Sequence, residues 1–119
     1  MSAEAKAKEA KAKEIPTDNG GVTDEQIRLW KSKHRKVYEI IVVDDSERFV
    51  GYFHRPDMDT VSVINKLAKT DEIKAALALF ENCWLGGSTV MREDVLVKMD
   101  AISQLNAIKN AVSSEIKNV

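Results

Sequence analysis

The sequence predicts an α+β domain, mainly a helical bundle packed on one antiparallel β-hairpin. Three observations lead there. Between Val37 and His54 the chain turns to β-branched and aromatic residues, broken by one polar turn. From Asp57 onward apolar residues recur at helical spacing. Ahead of the hairpin, a capping motif opens another helix.

Taken in order, residues 1–14 are a low-complexity run of Ala, Lys and Glu. Helix propensity is good, and Glu4–Lys8 and Glu9–Lys13 are favourable i,i+4 pairs. The run has no apolar stripe wider than alanine, and an isolated helix of this length is marginal in water. It reads as a partly helical, solvated extension that Ile15-Pro16 ends, with Thr17–Gly21 as a flexible link. The expected division is therefore 1–22 extension and linker, and 23–119 a single domain.

Thr23-Asp24-Glu25-Gln26 fits a capping box, in which the Thr hydroxyl accepts from the Gln26 N–H and the Gln side chain reaches back. Ile27, Trp30 and His34 follow at helical spacing. Val37–Val43 then reads as a strand, Asp44–Glu47 as a turn of about four residues, and Arg48–His54 as the returning strand. Arg55-Pro56 stops it, because proline offers no ladder donor. A lone hairpin is not stable in water, so helices must cover one face.

Val61, Ile64 and Leu67 share a face of the next helix, which ends near Lys69. Thr70-Asp71-Glu72 starts another, with acids suited to the helix dipole. Its expected stripe is Ile73, Leu77, Phe80 and Trp84, widened by Leu79 and Cys83. Gly86-Gly87 reads as its C-terminal stop. The last helix is expected from near Arg92 for about two dozen residues. Its stripe is Val95, Met99, Ile102, Leu105, Ile108, Val112 and Ile116.

Composition narrows the function. Hydrophobic residues make up 44% of the 119, enough for a core, and the formal net charge is −1, so the chain is no polycation for nucleic acid. Cys83 is the only cysteine, which rules out an internal disulfide and fits a reducing compartment. No apolar run is long enough to span a bilayer, and the charged N-terminus lacks the apolar middle of a signal peptide. The expected localisation is cytoplasmic, with no membrane contact.

Chemical motifs are sparse. Cys83, His34 and His54 fall on separate elements without metal-ligand spacing, so no metal or cofactor is expected. Cys83 lies near a helix C-terminus, which disfavours a thiolate. Gly86-Gly87-Ser88 lacks the following Lys of a phosphate loop. Asp44-Asp45 and Asp57/Asp59 sit where turns and caps call for Asp. These readings point away from an enzyme. Arg28 and the basic run Lys31–Lys36 raise a nucleic-acid reading for residues 28–36, but Asp24, Glu25 and Glu39 flank it, and cations suit the last turn of a helix.

Phe53-His54-Arg55-Pro56-Asp57, a helix, and then Ala75-Ala76-Leu77-Ala78-Leu79-Phe80-Glu81-Asn82-Cys83-Trp84-Leu85-Gly86-Gly87 resemble the tail assembly chaperones of long-tailed bacteriophages and prophages. The resemblance spans about Val37 to Ile116; the Lys/Glu/Ala extension is not part of that pattern. It implies a non-enzymatic role in virion morphogenesis: shielding the tape-measure protein, helping to recruit tail-tube subunits, and leaving before the particle is finished. A tape measure exposes apolar residues along a long helix, so shielding it is physically sensible. The residues expected to line the partner-binding surface, from arguments about exposure, are Trp30, Val112 and Ile116. The alternatives are a generic interaction or adaptor domain, a homo-oligomer through the last helix, and, behind these, nucleic-acid binding through residues 28–36.

Overall fold

The computed structural model describes residues 16–108 and 112–119. The reading of residues 1–14 lies outside the described residues. In chain order the elements are β1 (Thr17–Asp18), α1 (Asp24–Lys33), β2 (Val37–Asp44), β3 (Glu47–His54), α2 (Met58–Ala68), α3 (Glu72–Cys83), β4 (Trp84–Gly87), α4 (Thr89–Glu93) and α5 (Val95–Ile108). The class is α+β, with a sheet larger than a hairpin.

β2 and β3 form the hairpin, paired without a break from Val37↔His54 to Asp44↔Glu47. The turn is two residues, Asp45-Ser46, rather than four, and Asp45 takes the left-handed φ of 51° that such tight turns demand. β3 is the centre of the sheet. Its other edge is shared by β1, parallel at Thr17↔Arg48 and Asp18↔Phe49, and by β4, antiparallel from Gly51↔Gly87 to Phe53↔Trp84.

Two sequence expectations fail here. Thr17–Gly21 is not a flexible link: it holds β1 and a turn in which Asp18 Oδ1 accepts from Gly20 N at 2.9 Å. Gly86-Gly87 is not a helix stop either. The helix ends at Cys83, and both glycines belong to β4. Gly87 is glycine because backbones meet there. A Cβ on Gly20 would collide with the Gly87 carbonyl, and one on Gly87 would lie 2.5 Å from Val50 O. Ser88, fully buried, ties the junction: its backbone N donates to Val50 O at 2.8 Å, and its hydroxyl donates to Asp18 Oδ2 at 2.8 Å.

The core lies on one face of the sheet. Ile40, Val42, Phe49 and Phe53 pack against Ile64 of α2, Ala75, Leu79, Phe80 and Cys83 of α3, Met91 of α4, and Val97, Ala101, Ile102 and Leu105 of α5. Phe53 and Phe80 meet edge to face at 5.2 Å between ring centres, and Trp84 contacts both at 5.3 Å. The opposite face is covered in part by α1, whose capping box forms as expected and whose Trp30 packs on Tyr52 at 5.6 Å.

The helical stripes are partly redrawn. In α3, Leu79, Phe80 and Cys83 are buried as expected, but Ile73 is 66% exposed and Ala75 takes a place in the core. Small Ala75 and Cys83 let the helix sit close to its neighbours, and Trp84 has left the helix for β4. The last helix is broken at Asp94, whose extended backbone ends α4 and whose carboxylate accepts from Leu96 N at 3.0 Å and Val97 N at 3.1 Å. That cap resets the helical phase, so Val95 and Met99 face outward while Ile102 and Leu105 keep their expected burial. α5 is described over Val95–Ile108, and residues 112–119 carry no helix.

Candidate functional site

The end of the hairpin and the ends of two helices converge on one groove. Tyr38 comes from the start of β2, and His54, Arg55 and Pro56 from the end of β3. Leu79 and Cys83 come from α3, Leu105 and Ile108 from α5, and Val112 from beyond it. The local reasons are simple. Pro56 cannot extend the ladder, so β3 stops and the chain turns into α2, where Asp57 caps by accepting from Thr60 N at 2.8 Å. That turn leaves His54 and Arg55 at the sheet's corner. The hairpin register places Tyr38 opposite Phe53, one residue from His54.

The groove's volume is about 160 Å³. Small-molecule sites usually begin near roughly 300 Å³. A cavity of about 150 Å³ holds a benzene-sized group, so this groove suits a single apolar side chain. Its floor is made by Leu79, Cys83 and Leu105, all buried. Val112 is 62% exposed at the rim.

The polar corner is ordered. Arg55 Nε donates to the Tyr38 hydroxyl at 2.6 Å, and the guanidinium lies 5.9 Å from the centre of the Tyr38 ring. His54 Nδ1 sits 2.6 Å from the Arg55 carbonyl, so that nitrogen carries the proton and donates. The His54 ring stacks on His34, 4.4 Å between centres and 4° from parallel. Desolvation, then the neighbouring His54 and Lys33, hold His34 below its ordinary pKa. Arg35 and Lys36 lead into Val37, the partner of His54, so the basic run ends at the same corner.

Catalytic use of Cys83 finds no support in this geometry. The thiol is fully buried, and burial followed by the charge of Asp57 pushes its pKa up to about 11. A protonated, buried sulfur behaves as a small apolar group. His34 and His54 touch, although their elements are distant in sequence. Among the described residues no cluster of three or more His, Cys, Asp or Glu side chains is placed to hold a metal.

Of the three residues expected from exposure, Val112 reaches the groove. Trp30 lies on the other face of the sheet, half-buried over Tyr52 and against Gly86. Ile116 is 97% exposed beyond the groove. Sequence reasoning missed Tyr38, His54, Arg55, Leu79, Cys83 and Leu105 as one constellation. The hairpin register would have paired Tyr38 with the end of β3, but the approach of α3 and α5 is set by tertiary packing. Among the described residues no helix is long and apolar enough to cross a membrane. No protein-family model matches the chain, and no curated protein or solved structure matches it either.

Proposed function

We propose that the protein is a non-enzymatic binding domain that takes an apolar side chain from a helical segment of a partner protein. The observation that carries this reading is the groove: one side chain in size, apolar in its walls, and rimmed by exposed Val112 on one side and by the Arg55–Tyr38 pair on the other. Helix-in-groove recognition works through such anchors. The cations at the corner favour a partner segment that carries acids beside its apolar anchor. The resemblance of residues 37–116 to phage tail assembly chaperones supplies a partner of this kind, a tape-measure protein whose long helix needs cover before the tail tube encloses it. A site for one side chain binds weakly by itself, which suits a chaperone that must later be displaced.

The test is capture from the native source by tagged wild-type protein and by a Val112→Glu variant, with bound chains identified by mass spectrometry. The reading expects a very long, helix-rich chain with the wild type and its loss with the variant. Equal recovery by both, or recovery of nucleic acid alone, contradicts it. Val112 is exposed, so the substitution leaves the core intact.

A further inference from the structure

The outer edge of β2 ends the sheet among the described residues, since β3 lies on its inner side and β1 and β4 pair with β3 beyond. Asp44 and Glu47 pair across the two-residue turn. The alternation of an antiparallel ladder therefore turns the N–H and C=O groups of Val37, Glu39, Ile41 and Val43 away from β3. Proteins usually blunt such an edge with proline, a bulge or several charges. β2 has no proline or glycine, and its pairing with β3 has no bulge. Between its ends it carries a single charge, Glu39, beside the Tyr52 hydroxyl of β3. Ile41 and Val43 are 46% and 53% exposed.

The two ends of the strand are oppositely charged: Arg35-Lys36 precede it, and Asp44-Asp45 close it. Laid antiparallel beside a copy of itself and centred on Ile40, the strand sets Lys36 opposite Asp44 and Arg35 opposite Asp45. The same register sets Val37 opposite Val43 and Glu39 opposite Ile41, the residues whose backbone groups point outward. Every pair keeps to one face, so the apolar faces remain continuous. We infer that the chain forms a symmetric dimer by antiparallel pairing of β2 with β2 of a second copy, its register set by the opposite charges at the strand's two ends.

One helix runs beside this edge. Leu96 and Asp100 of α5 lie against Val43 and Asp44, and helical spacing carries that flank on to Ser103, Gln104 and Ala107. α5 runs opposite to β2, so exposed Ser103, Gln104 and Ala107 follow along that flank toward the two-fold axis. With the axis perpendicular to the joined sheet, both grooves open on one face. The dimer needs no occupant in the groove and stands or falls apart from it.

The test is sedimentation equilibrium of the full chain from micromolar to hundreds of micromolar, with circular dichroism to confirm folding. Wild-type protein is expected to dimerise. Lys36→Asp and Asp44→Lys each place like charges opposite one another at both ends of the paired strands, and each is expected to weaken self-association tenfold or more. An equimolar mixture of the two restores opposite charges at the Lys36–Asp44 contacts and is expected to associate like the wild type. A monomeric wild type overturns the inference. So does a dimer that tolerates both single substitutions, or a mixture of folded variants that stays as weak as its components.

Discussion

Gly87→Ala separates the observed fold from the simpler sequence reading of Gly86-Gly87. As a helix stop, the pair would tolerate alanine at a cost of about 1 kcal/mol. In the structure Gly87 has φ of +144°, and an added Cβ would lie 2.5 Å from Val50 O and 2.6 Å from Gly51 Cα. Both are backbone atoms of the central strand and cannot swing aside. A side chain at such a φ costs about 1–3 kcal/mol in strain. Moving β4 away also weakens the Ser88 N–Val50 O bond, worth roughly 0.5–1.5 kcal/mol. The expected loss is thus about 2–4 kcal/mol, a large part of the ~5–15 kcal/mol typical of a domain. It would lower Tm by roughly 10–25 °C. Gly86→Ala is the control: its Cβ would meet the Trp30 ring at 2.9 Å, and that ring can shift. Urea and thermal unfolding followed by circular dichroism measure both. A Gly87→Ala cost no greater than that of Gly86→Ala would refute the assignment of β4.

Two further predictions follow from the packing and the histidine pair. Phe80→Ala removes a fully buried ring that contacts Phe53, Trp84 and the Lys98 ammonium, and it should cost about 3–5 kcal/mol by urea unfolding; a cost under ~2 kcal/mol would contradict this core. His34 is a base held below its ordinary value of 6.5, so its contribution to stability is fully present above pH 6.5. It declines as pH falls from 6.5 toward the lower folded value, because the unfolded chain takes up the proton first. Imidazole proton NMR should show His34 titrating below 6.5, and hydrogen exchange should show α1 loosening first; titration above 6.5 would contradict the stacked pair.

What could be read from the sequence is what local chemistry decides. The capping box at Thr23 needs only four residues, and the Asp57 and Asp71 caps are equally local. The hairpin announces itself by β-branched residues before a polar turn and aromatic ones after it. β1 and β4 escape the same reading because they span two and four residues, too few for a periodic signal. Only pairing with β3 makes them strands. The stripe of α3 holds at Leu79, Phe80 and Cys83 and fails at Ile73, because alanine and leucine populate several faces of the helix and the close approach of neighbouring elements selects Ala75 instead. The sequence pattern of the last helix runs through Asp94, because an Asp inside an apolar pattern looks tolerable until its carboxylate caps the next turn. The groove's helical residues Leu79, Cys83, Leu105 and Ile108 all fall on the expected stripes, but no local signal brings α3 and α5 together beside Tyr38 and Arg55; Val112 is legible because it lies at the exposed rim.

Methyl NMR of the isotope-labelled full chain tests the central claim most directly, with an acidic, apolar helical segment of a tape-measure protein as the titrant. The account predicts selective, saturable shifts at the methyls of Leu79, Leu105, Ile108 and Val112, with little change at Val50 on the far face of the sheet and none in the Val112→Glu variant. Shifts centred on the far face, or unaltered by that variant, would contradict it.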